Sequence, residues 1–235
     1  MERKSLVGAL ASMAFAVTVQ SAAASVISLD FEGINATYPS AGDAFINGFY
    51  NGGTSSDGTS GPNYGIAFPA NAQAICLNTP GFICSNTSRG GQGDPNSQLG
   101  ALFFLSGDST FLNDVTGFDT GLSFYYSAVN VGGSINVWSG LNGTGGLLAS
   151  LPLPVTASGP CEGYGAGFCP FFATGIGFPG TAQSVEFVGV ADQIVFDDVT
   201  FGSTTPGGVP EPGSLLLLAG GMAAAGLSRR RRQTG

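Results

Sequence analysis

The stretch that decides the fold is GLSFYYSAVNVGGSINVWSG, residues 121–140. Its first half alternates, with Leu122, Phe124 and Tyr126 on one side and mostly polar residues between them. Its second half, SINVWSG, alternates again after a Gly-Gly pair. Because successive side chains of an extended chain point to opposite faces, this pattern predicts two half-buried strands. The glycine pair between them predicts a β-hairpin.

The rest of the central chain follows the same pattern. VISLDFEG at residues 26–33 alternates cleanly, and four further strand candidates are LGALFFL, LLASL, SVEFVGV and IVFDDVTF. No stretch between residues 25 and 210 has the periodicity of an amphipathic helix. Many short strands with Gly- and Asn-rich turns predict an all-β, antiparallel sandwich over residues 25–202, with a jelly-roll-like topology preferred. The lack of a fixed repeat disfavours a β-helix, a propeller and a repetitive ice-binding surface.

The chain has few charged residues, and in its central part almost all of them are acidic. Charged residues make up 9% and apolar residues 43% of the 235 residues, which argues against disorder. Between residues 25 and 210 there are 13 carboxylates and one basic residue, Arg89, giving a net charge of −12. A body without a cationic surface excludes nucleic acid as a partner and favours cations, neutral sugars or a basic partner.

The N-terminus has the pattern of a secretory signal peptide, residues 1–24. Arg3 and Lys4 form the positive region, a mostly apolar segment follows over residues 6–19, and Ala22-Ala23-Ala24 supplies the small residues of a cleavage site. We expect a short signal helix and cleavage after Ala24. The alternative is an uncleaved membrane anchor, for which the apolar segment is short.

Export accounts for the four cysteines. Cys76 and Cys84 lie in CLNTPGFIC, and Cys161 and Cys169 lie in CEGYGAGFC, with seven residues inside each pair. An even number of cysteines in an exported chain predicts disulfides, and four cysteines allow three connectivities. We prefer the two local pairs. A zinc site is the alternative, but the spacing is unusual for zinc and the chain has no His.

The C-terminus combines three features in order. STTPGG at residues 203–208 has the composition of a linker. Residues 214–228 form an uncharged, largely apolar segment near the lower length limit for a membrane-spanning helix. Four arginines, residues 229–232, follow directly and would hold that end in the cytoplasm. Pro210 and Pro212 resist helix, so the segment before the apolar run should be extended.

This tail resembles the PEP-CTERM sorting signal of Gram-negative bacteria, here residues 209–232. The matching residues are Val209, Pro210, Glu211, Pro212, Arg229, Arg230, Arg231 and Arg232, with the apolar segment between the two groups. The resemblance implies export, membrane anchoring by the tail, and processing near Pro-Glu-Pro by exosortase, a membrane protease. It also implies a final place at the outer surface or in an exopolysaccharide matrix. Similar tails are known as the ice-binding protein C-terminal domain, and a plain tail anchor is the alternative.

Acidic residues in the first and last predicted strands suggest a metal site. IVFDDVTF carries Asp197 and Asp198, and strict alternation puts one of them among apolar neighbours. LDFEG carries Asp30 and Glu32 on its polar side. The two segments resemble the bracketing strands of extracellular jelly-roll modules of the MAM and carbohydrate-binding type, in which such acids hold structural calcium. The resemblance implies a Ca²⁺ site formed by these four residues. Edge or solvent-facing acids are the alternative.

Aromatic side chains suggest a sugar-binding site. Trp138 lies on the polar side of its predicted strand, which predicts a partly exposed indole. Indole and phenol rings stack on sugar rings while their polar tips stay solvated. Trp138 is the best single candidate, with tyrosines such as Tyr64 and Tyr126 behind it. Ordinary core or loop packing is the alternative for each of them.

Catalytic machinery is largely excluded. The chain has no His, which removes Ser-His-Asp and Cys-His arrangements. Its one lysine, Lys4, leaves with the signal peptide. A carboxylate pair for glycoside hydrolysis remains conceivable, with Glu162 and Glu186 as candidates that nothing in their spacing selects.

These observations predict an exported, non-catalytic β-sandwich protein with a structural role. An exopolysaccharide-binding module, stabilised by Ca²⁺ in one version, is the main alternative. An ice-binding protein and a glycoside hydrolase are weaker ones.

Overall fold

The computed structural model describes residues 26–36, 42–78, 84, 93, 96–156 and 167–207. These residues belong to one compact unit, Ala24–Glu211. The expected signal peptide, both terminal helices and the sorting residues at positions 209–232 lie outside them. Within the described ranges, no helix is long and apolar enough to cross a bilayer.

The described residues form twelve strands and one short 3₁₀ helix, Leu141–Gly143, which confirms the all-β class. In chain order the strands are β1 Ile27–Leu29, β2 Asp43–Phe45, β3 Ile66–Ala67, β4 Gln73–Cys76, β5 Gly100–Phe103, β6 Ser109–Phe118, β7 Gly121–Ala128, β8 Gly133–Trp138, β9 Leu147–Leu153, β10 Phe172–Gly177, β11 Ala182–Val188 and β12 Ile194–Phe201.

The strands build two antiparallel sheets with jelly-roll connectivity. The seven-stranded sheet has the order β10-β7-β12-β5-β4-β2, with β1 also paired to β12. The five-stranded sheet has the order β3-β6-β11-β8-β9. The last eight strands divide equally between the two sheets, with β10-β7-β12-β5 in one and β6-β11-β8-β9 in the other. This arrangement confirms the predicted jelly-roll-like sandwich.

The main core lies between the sheets, as alternation predicts. Leu122, Phe124 and Tyr126 of β7 enter it from one side, and Ile135 and Val137 of β8 enter it from the other. Apolar side chains on one face of each sheet are thereby removed from water, which is the main stabilising contribution in a sandwich.

The predicted hairpin over residues 121–140 is wrong. Strand β7 pairs with β10 and β12, whereas β8 pairs with β11 and β9 in the other sheet. The segment around the Gly-Gly pair therefore crosses from one sheet to the other. Strand β8 has one buried face, as predicted, whereas β7 is buried on both faces except at Tyr125. Alternation cannot tell whether two successive strands share a sheet or face each other across the core.

Strand β12 contains a β-bulge at Asp197 and Asp198. Its register against β7 shifts between Asp197 and Thr200, and the backbone of Asp198 has a φ of 47°. Phe196 and Val199 therefore both lie in the main core, although strict alternation assigns them to opposite faces. The extra residue thereby puts Asp197 on the face opposite Val199 and Phe201, the side that Val195 occupies.

The outer face of the seven-stranded sheet carries a second apolar cluster, and we call it the covered face. Neighbouring residues in one strand belong to different clusters: Leu102 lies in the main core, whereas Ala101 and Phe103 lie in the second cluster. The members of the second cluster are Ile75, Leu77, Ala101, Phe103, Val129, Phe168 and Val195. This sheet is therefore buried on both sides.

The cysteines lie beside the covered face. Cys76 forms a disulfide with Cys84, the local pairing preferred from the sequence. Cys169, next to the buried Phe168, is also disulfide-bonded, and Cys161 lies outside the described residues. Leu77 and Phe168 come from loops beside these cysteines, so the disulfides hold loops that cover a sheet face.

Residues 203–207, the start of the expected linker, lie against the sandwich. A Cβ atom added to Gly175 of β10 would lie 2.2 Å from the backbone oxygen of Thr204. The amide of Gly207 donates to the hydroxyl of Thr200 at 3.3 Å. The chain therefore stays in contact with the body until immediately before residue 208.

Candidate functional site

The first and last strands lie side by side, which brings the predicted calcium ligands into one region. Strand β1 pairs antiparallel with β12, with Leu29 opposite Val199. Asp30 and Glu32 follow β1 directly, and Asp198 precedes Val199 in β12. The first and last strands are therefore neighbours, as a shared site of these acids requires.

Two of these acids fasten the segment 96–100 to the sheet. A carboxylate oxygen of Glu32 accepts hydrogen bonds from the backbone amides of Leu99, at 2.7 Å, and Gly100, at 3.1 Å. The Asp198 carboxylate accepts from the amide group of Asn96, at 2.9 Å, and from the hydroxyl of Ser97, at 3.2 Å. Charged acceptors of this kind make stronger hydrogen bonds than neutral ones.

The other two acids, Asp197 and Asp30, accept hydrogen bonds from neighbouring backbone amides. Asp197 is fully buried, and one of its oxygens accepts the amide of Asp198 at 2.8 Å. Asp30 is exposed and accepts the amide of Glu32 at 3.2 Å. Among the described residues, no three His, Cys, Asp or Glu side chains are placed to hold a metal ion. All four acids accept hydrogen bonds within the described residues, and the calcium site stays a prediction.

The outer face of the five-stranded sheet presents a cluster of polar and aromatic side chains, which we call the polar face. The pairing register places Glu186 of β11 between Phe111 of β6 and Asn136 of β8, and Asn136 opposite Ser150 of β9. Trp138 lies two residues further along β8 on the same side. Phe111, Asn136, Trp138, Ser150 and Glu186 define this polar face.

Hydrogen bonds join these side chains around Glu186. One Glu186 oxygen accepts from the amide of Asn136, at 3.0 Å, and from the indole of Trp138, at 3.3 Å. Ser150 in turn donates to the amide oxygen of Asn136 at 2.8 Å. No described residue donates to the second Glu186 oxygen. Trp138 is half-buried and fixed by this network, so it is less exposed than its strand position alone suggests.

The 3₁₀ helix bounds one end of the polar face. The amide of Gly143 donates to the hydroxyl of Ser184 at 3.0 Å, and the amide of Asn142 donates to the side-chain oxygen of Asn113 at 2.7 Å. Gly143 has a φ of 70°, and a Cβ atom there would come within 2.8 Å of the Phe111 ring. A glycine is therefore needed for the close approach that shapes this end of the surface.

The polar face is suited to binding hydroxyl-bearing ligands. It combines two aromatic rings, a carboxylate, an amide and a hydroxyl, and sugar rings use all of these through stacking and hydrogen bonds. Glu162, the other glycosidase candidate, lies outside the described residues. Sequence reasoning missed Phe111 and Asn136, because their place beside Glu186 depends on a pairing register that no local pattern reveals.

Two of the other aromatic candidates, Tyr126 and Tyr64, differ from Trp138. Tyr126 is buried in the main core, where its hydroxyl donates to the carbonyl of Pro154 at 3.3 Å. Burial raises the pKa of that hydroxyl. Tyr64 is 41% exposed, at the end of the sandwich rather than on the polar face. Tyr126 is therefore a packing residue.

Comparison with known proteins identifies the tail. Residues 208–232 match the family model of the PEP-CTERM protein-sorting motif, which confirms the resemblance stated above. The protein is thus a jelly-roll sandwich that carries a C-terminal sorting motif. The motif indicates an exported protein whose tail is recognised by exosortase, a membrane protein.

No curated protein matches the chain. Among solved structures, the chain is similar to the K3 cleaved adhesin domain of Lys-gingipain from Porphyromonas gingivalis w83. The identity is 14%, the similarity covers 76% of this chain and 98% of that one, and the TM-score is 0.34.

Proposed function

We propose that the protein is exported, anchored briefly by its tail and processed by exosortase near Pro-Glu-Pro. Its jelly-roll body then acts at the outer surface or in the extracellular matrix of a Gram-negative bacterium, in a non-catalytic, structural role. The observation that carries this proposal is the sorting motif at residues 208–232.

The body supports a role outside the cell. Its disulfides suit an oxidising compartment. The described residues contain no Lys, Arg or His, so nucleic acid and other polyanions are unsuitable partners. The chain also lacks the His that most nucleophilic and acid–base enzymes use.

Variants in the motif test the sorting step. We expect Pro210→Ala, Glu211→Ala and Pro212→Ala, combined in the full chain, to leave the protein in the membrane fraction of its native host with its tail intact. Pro206→Ala is the matched control, because it changes a proline that lies outside the motif, four residues before Pro210. Normal release of the triple variant would contradict exosortase processing.

The polar face favours a second function, the binding of neutral exopolysaccharide. The specific observation is the Glu186 network, which holds the partly exposed Asn136 and Trp138 beside Phe111 on the outer face of the sheet. A ring stacked on the indole would lie near the second oxygen of Glu186, which is available to accept hydroxyl groups.

Binding of the full chain to polysaccharide purified from the host tests this function. Trp138→Ala and Glu186→Gln should each weaken binding at least about ten-fold, the effect usual for a central aromatic or charged contact. Tyr125→Ala, on the other sheet, is the control and should bind normally. Equal binding by all variants would contradict the assignment, and release of reducing sugars would instead support a glycoside hydrolase.

A further inference from the structure

A cavity of about 380 Å³ lies at one end of the sandwich, away from the polar face. It is bounded by the last residues of β6 and β12, Phe118 and Phe201, and by the first residue of β1, Ile27. These three side chains give it an apolar floor. Its polar lining includes Asp114, Asp119 and Tyr64.

A bulge in β6 creates this cavity. Ala182 of β11 pairs with Phe118, and Ser184 pairs with Asn113, so four residues of β6 stand opposite one residue of β11. Asp114 organises the bulge: one of its oxygens accepts the Thr116 amide at 2.8 Å and hydroxyl at 2.6 Å, and the Gly117 amide at 3.1 Å.

The second oxygen of Asp114 is the main acceptor that this cavity offers. Asp114 is only 5% exposed, it lines the cavity, and no described residue donates a hydrogen bond to this oxygen. The Asp114 side chain is largely, but not completely, removed from water, so its second oxygen can still accept a hydrogen bond from a donor that enters the cavity. The fold therefore leaves an acceptor in place for a ligand.

The charge of the surroundings selects the kind of ligand. The described residues contain no basic side chain, and Asp119 adds a second carboxylate to the lining. Anions are repelled, and cations are attracted by the whole acidic body. The apolar floor suits a small organic cation rather than a bare ion. The exposed aromatic ring of Tyr64 also attracts ammonium groups.

We propose that this cavity binds the primary ammonium group of a small organic cation. The ammonium donates to the free oxygen of Asp114 and is further attracted by Asp119, while the rest of the ligand lies on Phe118 and Phe201. An amino sugar and an alkylamine such as a lysine side chain share this chemistry. The site is separate from the sorting motif and from the polar face, so it does not depend on the function proposed above.

Calorimetric titration of the full chain in detergent, at low ionic strength, tests the proposal. The probes are methyl glucosaminide, butylamine and, as the neutral match for the first, methyl N-acetylglucosaminide. We expect both ammonium probes to bind and the neutral probe to bind at least about ten-fold more weakly. Tighter binding of methyl glucosaminide than of butylamine identifies an amino sugar as the source, and the reverse identifies an alkylamine.

Three variants make the test specific. Asp114→Asn should weaken ammonium binding at least about ten-fold, and Asp119→Asn, a change at an exposed position, should weaken it in a chain with an undisturbed bulge. Asp108→Asn, an exposed acid just before the opposite end of β6, should bind like the parent. No binding of either ammonium probe, equal binding of the neutral probe, or an equal loss in Asp108→Asn would overturn the proposal.

Discussion

The outer faces of the two sheets differ in burial and in polarity. On the covered face, apolar side chains such as Phe103 and Val195 are fully buried beneath loops. On the polar face, Glu186 and Trp138 are half-buried, and among the described residues the short 3₁₀ helix bounds one end. Both faces use aromatic rings and acids, yet in different surroundings.

This contrast extends to the acidic side chains, which have different roles on the two sheets. On the seven-stranded sheet, Glu32 and Asp198 accept hydrogen bonds from the segment 96–100 and hold it against the sheet. On the five-stranded sheet, Glu186 accepts from its own neighbours with one oxygen and leaves the other available. We infer that the covered face serves stability and the polar face serves contact with a ligand.

The largest expected effect compares two phenylalanines. Phe103→Ala on the covered face should lower the free energy of unfolding by about 3–5 kcal/mol, because it empties a fully buried site. Phe111→Ala on the polar face should cost less than about 1 kcal/mol, as expected for a partly exposed side chain. Urea unfolding measures both, and equal costs would contradict the contrast between the faces.

The disulfide beside the covered face should have the next largest effect. Replacing Cys76 and Cys84 together by Ser should cost about 2–3 kcal/mol, because the bond closes a loop of sequence separation 8 and restricts the unfolded chain. The fluorescence of Trp138, the single tryptophan, reports on the polar face. Its emission should stay unchanged in the folded variant, and a shift would show that the two faces are coupled.

Asp43, at the edge of the covered face, should make stability depend on pH. Burial, and then the charge of Asp192, raises the pKa of Asp43 from 3.8 to about 6. An acid with a raised pKa contributes stability below its unfolded value that is lost as the pH rises through about 6. The parent should therefore be less stable at pH 8 than at pH 4 on account of this group.

The Asp43→Asn variant isolates that group. It should be more stable than the parent at pH 8 by about 1 kcal/mol, a value reduced for the partial solvation of the side chain. The advantage should shrink as the pH falls and be nearly gone at about pH 3, where Asp43 is mostly protonated in both states. Thermal unfolding at the two pH values measures it, and an advantage that is the same at both would exclude this cause.

The smallest effect concerns calcium. Because Glu32 and Asp198 already accept hydrogen bonds from the segment 96–100, the melting temperature should be the same with Ca²⁺ and with EDTA. A rise of several degrees in Ca²⁺ would restore the calcium site predicted from the sequence. Asp198→Asn should still lower stability, because an amide is a weaker acceptor than a carboxylate.

The sequence predicts the positions of the strands better than the pairing between them. IVFDDVTF coincides with β12, and SVEFVGV overlaps β11, since apolar alternation records burial directly. The predicted hairpin over residues 121–140 is wrong because β7 and β8 lie in different sheets. Each strand turns apolar side chains toward the same core, so their sequence patterns look alike. The bulge at Asp198 likewise breaks the alternation from which the faces of both acids were predicted.

The sites were predictable only in part. Trp138 and Glu186 were candidates for separate reasons, and only the register of β8 and β11 joins them. Asp114 was missed, although Asp-Val-Thr-Gly contains the donors of its bulge at Thr116 and Gly117. Such local pairs of acceptor and donor are visible in a sequence, whereas the cavity behind them depends on three strand ends meeting.

The central claim, sorting followed by processing of the tail, is tested most directly by the intact mass of protein recovered from the native cell surface and medium. The predicted mass lacks residues 1–24 and the segment beyond Pro-Glu-Pro, and it is about 4 Da lower than the reduced chain because of two disulfides. A mass that retains the apolar segment and the four arginines would contradict processing and leave a protein that is simply anchored by its tail.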